Sequence, residues 1–386
     1  AINFGGPASH TVRDFFIHNA LYWVEEFFFD GLRLDAVHAI CDSSTPDFAE
    51  ELCTVLRQGP SNTRQVHVVL ENENNEASRL VRDAQGHPRW AAAQWNDDLH
   101  HAAHVHLTRE TEGYYEDFAG DPLGRFALAL GRGFVYAGEP SEHRKGKPRG
   151  EPCERLPLEA FVSHLQTHDQ IGNRAFGERI DRLADPLMLQ TVRACLLLSP
   201  HVPMLFMGEE FAARTPFLYF CDFGDTDLGK AVTQGRRAEF KGFAAFRKEE
   251  SEAAIPDPNA EGTFLASKLA WQEREQPSHA QALRRTQALL AARREHIVPR
   301  LAQGSRGMHQ CAHDGIVSVA WQLGGHGLLY LLANFSSDDR EMDRVPGRPV
   351  YDEGASLLMP DASRIRLRPG GVWVSLQDGD DGRSRH

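Results

Sequence analysis

The first half of the chain alternates between two spacings of apolar residues. Stretches in which apolar residues recur every three or four positions, such as Met188–Leu198, predict amphipathic helices, and Thr45-Pro46 predicts the start of another. Short segments between these helices predict strands, namely Gly31–Val37, Val66–Glu71, Ala91–Trp95, Phe161–Leu165 and Pro203–Met207. Val66–Glu71 is almost continuously apolar, which suits a strand covered on both faces. In Gly31–Val37 the apolar Leu32 and Leu34 face one way and the charged Arg33 and Asp35 the other. Repeated alternation of helix and strand predicts a parallel sheet with covering helices, either open or closed into a barrel.

The pattern changes towards the C-terminus. From Leu265 to about Leu301 the spacing is helical and charged. Beyond it, Gly315–Trp321, Gly327–Asn334 and Gly371–Leu376 alternate or run apolar between clusters of Gly, Pro, Asp and Ser, which is typical of antiparallel strands. We therefore predict an α/β domain over residues 1–302, a C-terminal β-sandwich domain over residues 303–377 and a disordered tail over residues 378–386.

The composition narrows the class of protein. A chain of 386 residues with 41% hydrophobic residues can bury one large core and a smaller one. Its 42 Lys and Arg against 54 Asp and Glu give a net charge of −12, which repels a phosphate backbone and argues against nucleic acid as a partner. No stretch approaches the roughly 20 apolar residues of a membrane helix, so we expect no membrane partner. The six cysteines lack zinc-ligand spacing, which favours reduced thiols and a cytoplasmic location.

Acidic side chains follow three of the predicted strands. Asp35, Glu71 and Asp169 each come just after an apolar run, and the carboxyl ends of barrel strands form one rim. Converging carboxylates suggest glycoside hydrolysis, in which one acid attacks the anomeric carbon and another donates a proton to the leaving oxygen. Arg33, on the same strand face as Asp35, would keep that carboxylate ionised and oriented. The alternative interpretation, that each acid only caps the next helix, stays open on position alone.

Three segments carry a resemblance to a known family. Phe29–His38 contains the motif G-x-R-x-D, Val69–Glu71 ends on a glutamate, and Gln166–Arg174 contains an H-D pair. In this order they resemble the nucleophile strand, the acid/base strand and the transition-state-stabilising segment of the α-amylase superfamily, glycoside hydrolase family 13. The resemblance implies an α/β fold, a (β/α)8 TIM barrel followed by a C-terminal antiparallel β domain. It also implies that Asp35 is the nucleophile and Glu71 the acid/base, with Asp169 beside them.

Further segments narrow the resemblance. Glu71–Asn75, Gln94–His101 and Phe206–Ala212 are similar to the malto-oligosyltrehalose trehalohydrolase family. This resemblance implies an enzyme that cleaves the α-1,4 bond next to the terminal trehalose of a malto-oligosyltrehalose, with retained configuration. A general α-glucan hydrolase or branching enzyme with the same acids is the nearest alternative. A glucan-binding protein without catalysis is another.

The same segments supply candidate substrate contacts. These are Arg33, His38, Trp95, Asp97, Asp98, His168, Gln170, Asn173 and Arg174. Trp95 can stack on a sugar ring or belong to the core. The histidines at positions 100, 101, 104 and 106 share helix faces as metal ligands do, but no carboxylate or cysteine completes a metal motif, so we expect neither a metal nor a cofactor.

One departure concerns the start of the chain. In the superfamily, the first barrel strands, the first motif and an N-terminal β domain precede the part that this chain resembles. The resemblance therefore implies that residues 1–386 lack them. An incomplete barrel exposes open strand edges and apolar faces. We therefore expect residues 1–386 alone to be poorly soluble and to lack hydrolase activity.

Overall fold

The computed structural model describes residues 2–224, 226–240, 254–325, 327–358 and 363–379. Most of the predicted tail, residues 380–386, lies outside this range. Asp378, at the start of that tail, has its Oδ1 atom 2.7 Å from Nη2 of Arg300.

A parallel sheet forms the centre of the N-terminal part. Its strands and a small hairpin follow one another as β1 (Gly31–Leu34), β2 (His67–Leu70), β3 (Ala93–Trp95), the hairpin β4 (Pro140–Ser141) and β5 (Lys147–Pro148), β6 (Phe161–Ser163) and β7 (Val202–Pro203). The parallel neighbours lie in the order β1-β2-β3-β6-β7, which is chain order without the hairpin. Successive parallel strands in chain order make the wall of an α/β barrel, as the sequence predicts.

Helices connect and cover these strands. They are α1 (Ser9–Glu25), α2 (Phe48–Gln58), α3 (Asp97–Thr108), α4 (Pro122–Arg132), α5 (His168–Gly172), α6 (Ile180–Leu183), α7 (Pro186–Leu197), α8 (Asp227–Phe240), α9 (Glu261–Ala266) and α10 (Pro277–Ala292). The start of α2 differs from the prediction at Thr45-Pro46, because Asp47 is the N-cap and accepts a hydrogen bond from the Glu50 amide at 2.9 Å. Across the described ranges, no helix is both long enough and apolar enough to span a bilayer.

An antiparallel sheet follows, as the sequence predicts. Its strands are β8 (Ser305–His313), β9 (Ile316–Leu323), β10 (Gly327–Asn334), β11 (Arg340–Asp343), β12 (Arg348–Leu357) and β13 (Arg364–Gln377). The order is β11-β13-β10-β9-β8, with β12 also paired to β13. These strands share one hydrogen-bonded sheet, and its description as a sandwich, like the domain boundary near residue 303, stays a prediction.

The two sheets are joined by buried contacts. Trp321 of β9 is fully buried and its Nε1 donates to the Leu130 carbonyl of α4 at 2.8 Å. Arg293, just after α10, is also buried and donates to the Leu197 carbonyl at 3.2 Å and to the His201 carbonyl at 2.6 Å. These bonds tie the β domain and the last helix to the wall of the barrel.

The outer face of α1 and the loop after it carry exposed aromatic rings. The rings of this α1 aromatic patch are 40–74% exposed and belong to Phe15, Tyr22, Trp23, Phe27, Phe28 and Phe29. The patch precedes β1, which is an end strand of the described parallel sheet. Clustered exposed rings of this kind are rare on single soluble chains.

Candidate active site

The register of β1 and β2 places two of the predicted acids side by side. Leu34 pairs with Leu70, so Asp35 and Glu71 occupy the next positions on strands that lie about 5 Å apart. The Glu71 amide donates to the Leu34 carbonyl at 3.0 Å, and the Val37 amide donates to the Glu71 carbonyl at 2.9 Å. The backbone bonds therefore place the main chains of Asp35 and Glu71 side by side.

A sharp turn follows Asp35. Ala36 has a φ of 42°, in the left-handed region, and its amide donates to Oε2 of Glu71 at 2.8 Å. The turn ends the strand and leaves the Asp35 side chain 80% exposed at the rim. A positive φ is uncommon for a residue other than glycine, so the hydrogen bond to Glu71 helps to hold this turn.

Arg33 connects the three predicted catalytic acids. Its Nη1 forms an ion pair with Asp35, and its Nη2 lies 3.1 Å from Oε2 of Glu71 and 4.0 Å from Oδ2 of Asp169. The guanidinium also lies over the Trp95 ring, 4.2 Å from its centroid. One cation thus offsets the mutual repulsion of three carboxylates, and the structure brings together the residues that the sequence predicts at this rim.

Glu71, Asp169 and Trp95 border a cavity of about 530 Å³, and Ala36, the residue after Asp35, also lines it. Most of its walls are polar or aromatic. They comprise Ala36, His38, Glu71, Glu73, Trp95, Asp97, His101, Tyr114, Asp117, His143, Arg144, Arg149, Asp169, Gln170 and Asn173. Many hydrogen-bonding groups together with aromatic rings suit a polyhydroxylated ligand.

A second cavity of about 560 Å³ adjoins the first, and the two share Tyr114, Gln170 and Asn173. Arg174 lines this second cavity, where its two Nη atoms donate to the Glu110 carboxylate at 2.9 Å each. The predicted contact Arg174 is therefore held by an acid beside the catalytic rim. His168 is half exposed at that rim, with Nε2 3.4 Å from Oδ1 of Asp169.

Asp97 lines the catalytic cavity and has an altered acidity. Burial raises its pKa to about 7, against the opposing effect of Arg149. The carboxylates of Asp98, Glu71 and Asp169 add to the increase. Near neutral pH the Asp97 carboxyl can therefore donate or accept a hydrogen bond, which suits a sugar hydroxyl.

Asp98 does not reach the cavity, contrary to the prediction that it contacts substrate. It is fully buried, and its Oδ2 accepts hydrogen bonds from the Val135 and Tyr136 amides at 2.7 and 2.9 Å. Its Oδ1 lies 2.8 Å from Nη2 of Arg149. Consecutive helical residues point about 100° apart, so Asp97 faces the cavity while Asp98 anchors the loop beneath it.

The histidines of α3 hold the helix in the core. Nδ1 of His100 lies 2.6 Å from the Leu165 carbonyl, and Nε2 lies 3.0 Å from the Tyr115 hydroxyl. Nε2 of His104 lies 2.7 Å from Oε2 of Glu110, and His101 reaches the cavity wall. Burial lowers the pKa of His100 and His101 well below the usual range, so both rings are neutral at pH 7. In the described part of the chain, no cluster of three His, Cys, Asp or Glu could hold a metal ion.

The hairpin β4–β5 supplies cavity residues that the sequence analysis missed. Arg144 lies with Nη2 3.2 Å from Oε1 of Glu73, and its Nη1 donates to Oδ1 of Asn74 at 2.8 Å. Arg149 donates from Nε to the Glu73 carbonyl at 2.9 Å. The sequence did contain a signal for these residues, namely the basic run at 143–149 in a protein whose net charge is −12. Basic groups are needed where acids converge, because they offset the repulsion between carboxylates.

Comparison with known proteins gives relatives along nearly the whole chain. A malto-oligosyltrehalose trehalohydrolase from Arthrobacter ramosus is 39% identical over 297 residues, which are 76% of this chain and 50% of that protein. One from Rhizobium sp. (strain M-11) is 35% identical over 380 residues, 97% of this chain and 60% of that protein. No protein-family model matches. The chain thus spans about half to three fifths of these relatives.

A solved structure agrees with the sequence comparison. The crystal structure of a putative alpha amylase from Salmonella typhimurium superposes with a TM-score of 0.85 at 37% identity, covering 95% of this chain and 60% of that one. Such agreement over nearly all of the chain confirms the α/β barrel with a C-terminal β domain. On this evidence, the chain is similar over most of its length to malto-oligosyltrehalose trehalohydrolases and shares its fold with a putative alpha amylase.

Proposed function

We propose that this protein is a retaining glycoside hydrolase that acts on malto-oligosyltrehalose. The observation that carries the proposal is the position of Arg33 among Asp35 and Glu71, at the ends of the adjacent strands β1 and β2, and Asp169, in the helix after β6. Two carboxyls about 5–5.5 Å apart are the arrangement of retaining enzymes. The neighbouring positions of Asp35 and Glu71 in the strand register are compatible with that spacing.

The reaction proceeds in two displacements. Asp35 attacks the anomeric carbon while Glu71 donates its proton to the glycosidic oxygen, so the C1–O bond breaks as the bond to Asp35 forms. Glu71 then takes a proton from a water molecule, whose oxygen displaces Asp35 and restores the α configuration. Asp169, beside Arg33, binds hydroxyls of the reacting sugar. The shared guanidinium keeps the carboxylates of Asp35 and Asp169 in place through both steps.

The leaving group in this proposal is trehalose, and the cleaved bond is the α-1,4 bond next to it. Support comes from the names of the relatives from Arthrobacter ramosus and Rhizobium and from a cavity rich in hydroxyl-binding groups. The second cavity beyond Tyr114 gives room for further sugar units. A general α-glucan hydrolase or branching enzyme would share the acids and differ on the leaving-group side. We also propose a cytoplasmic location, since all six cysteines are free and three of them are buried.

Substrate choice tests the proposal. Maltotriosyltrehalose and maltopentaose are incubated with this chain and, in parallel, with a chimera that adds the N-terminal part of the Rhizobium relative. We expect trehalose from the first substrate and far slower cleavage of the second, measured by chromatography of the sugars. Equal cleavage of both substrates, or none by either preparation, would reject the assignment.

Two variants test the catalytic roles in the active preparation. Asp35→Asn and Glu71→Gln should lower turnover by several orders of magnitude and leave oligosaccharide binding largely intact, because both groups act in the transition state. Asp14→Asn and Glu25→Gln, at exposed positions on α1, are the matched controls. Near-normal turnover in either active-site variant would show that its role is assigned incorrectly.

A further inference from the structure

A third cavity, of about 470 Å³, lies away from the catalytic rim. Its walls come from α6, α7, the segment after β7 and α10, and it shares no lining residue with the catalytic cavity. Four arginines line it, at positions 182, 193, 214 and 285, together with the acids Asp181 and Glu209. Such an excess of cations stands out in a chain whose net charge is −12.

The floor of this arginine cavity holds a buried guanidinium. Arg193 is 7% exposed, and its Nη1 and Nη2 donate to Asp181 at 2.8 and 2.6 Å. Its Nε has no hydrogen-bond acceptor in the described residues, and Oε1 of Glu209 is 3.5 Å away. That oxygen is also buried without a hydrogen bond among the described residues. Burial raises the pKa of Glu209, against the opposing effect of Arg193.

The mouth of the cavity holds two arginines with unused donors. The side chains of Arg182 and Arg214 are exposed and have no hydrogen bond or ion pair with any residue that the structure describes. On the far wall, Arg285 is held by Glu353 of β12, with Nη2 2.5 Å from Oε2. The guanidinium groups of Arg182 and Arg214 therefore line the mouth of the cavity, and the Nε of Arg193 at its floor is a third donor without an acceptor among the described residues.

The lining excludes a stacked sugar. Apart from the imidazole of His279, no aromatic ring is among its lining residues in the described chain, so a platform for a pyranose is absent. Guanidinium groups bind phosphate and carboxylate oxygens in paired hydrogen bonds. We propose that the arginine cavity binds a small metabolite with a phosphate or carboxylate group, whose oxyanion lies between Arg193 at the floor and Arg182 and Arg214 at the mouth. The bound molecule links α6 and α7 to the segment after β7.

Thermal unfolding of the full chain tests this proposal. Inorganic phosphate, glucose 6-phosphate, malate and neutral glucose are titrated at constant ionic strength, with sodium chloride as the balancing salt. We expect a saturable rise in Tm with at least one of the three anions and none with glucose. A preference for the phosphates over malate, or the reverse, tells which oxyanion the cavity prefers.

Variants at the mouth locate the effect. Arg214→Gln and Arg182→Gln should each weaken the anion's apparent affinity by about tenfold or more, because each removes charge-assisted hydrogen bonds. Arg284→Gln is the matched control, since Arg284 is exposed on α10 and does not line the cavity. The mouth variants are preferred to Arg193→Gln, which leaves Asp181 buried without its partner. No saturable rise with any anion, or an equal loss in Arg284→Gln, would overturn the proposal.

Discussion

Asp97→Asn is expected to change how the stability of the protein depends on pH. The wild-type carboxyl has a folded-state pKa of about 7 against an ordinary value of 3.8. Between these values the folded state binds more protons than the unfolded state, so stability falls as pH rises through this window. Asparagine has nearly the same shape and cannot ionise. The variant should therefore gain stability relative to wild type as pH rises.

The size of the effect follows from the shift. The folded-state pKa of Asp97 exceeds its ordinary value by about 3, which corresponds to roughly 4 kcal/mol. The wild-type protein loses this free energy of unfolding as the pH rises from below 3.8 to above 7. Because the Asp97 side chain is 20% exposed, water screening makes this an upper value. Between about pH 5 and about pH 8 the loss is roughly 2 kcal/mol. His164, whose Nε2 lies 3.7 Å from Oδ1 of Asp97, has a pKa lowered by burial to about 4 and stays neutral in this window.

Urea unfolding at these two pH values measures the effect. The free energy of unfolding of Asp97→Asn minus that of wild type should be larger at the higher pH by roughly 2 kcal/mol. Asp14→Asn, at an exposed position on α1, should show no comparable change. If the difference for Asp97→Asn is the same at both pH values, the carboxyl is not protonated near neutral pH and our account of its surroundings is wrong.

Three further substitutions test the packing described above. Arg293→Met should lower the free energy of unfolding by about 3 kcal/mol or more, because buried carbonyls lose their donor; a loss below about 1 kcal/mol would contradict this. Trp321→Phe removes the bond to the Leu130 carbonyl and should cost about 1–2 kcal/mol in the same assay, and an unchanged midpoint would show that the bond contributes nothing. Trp23→Ser should reduce concentration-dependent association through the α1 aromatic patch, and light scattering equal to that of wild type would argue against it.

The centre of the site was predictable because barrel strands have a strong signal. Glu71 stands out because it ends an almost continuously apolar run, and Asp35 stands out because it and Arg33 place charge on one face of a short strand. The pairing of Leu34 with Leu70 was not predictable, since register depends on contacts between segments distant in sequence. The ion pair of Arg33 with Asp35 was predictable from the strand face that they share, whereas its approach to Glu71 and Asp169 was not, because these residues lie far along the chain.

Other elements give weak or misleading signals. Strand β8 was missed because most of its side chains are exposed and it lacks an apolar face. The start of α2 is ambiguous in the sequence, because both Thr45-Pro46 and Asp47 fit a helix N-terminus. Only the hydrogen bond from the Glu50 amide to the Asp47 side chain identifies Asp47 as the N-cap. Asp97 and Asp98 are chemically identical neighbours, and only the rotation of α3 separates a cavity residue from a buried anchor.

The backbone bonds between the ends of β1 and β2 have a consequence for protein engineering. The alignment of Asp35 with Glu71 depends on main-chain atoms of Leu34, Val37 and Glu71 and on the Arg33 side chain, none of which belongs to the β4–β5 hairpin. The hairpin that contributes Arg144 can therefore be exchanged between relatives while the reacting carboxyls keep their mutual position. Libraries that vary this hairpin should yield altered product spectra more often than inactive enzymes, because selectivity and reactivity are encoded in separate parts of the chain.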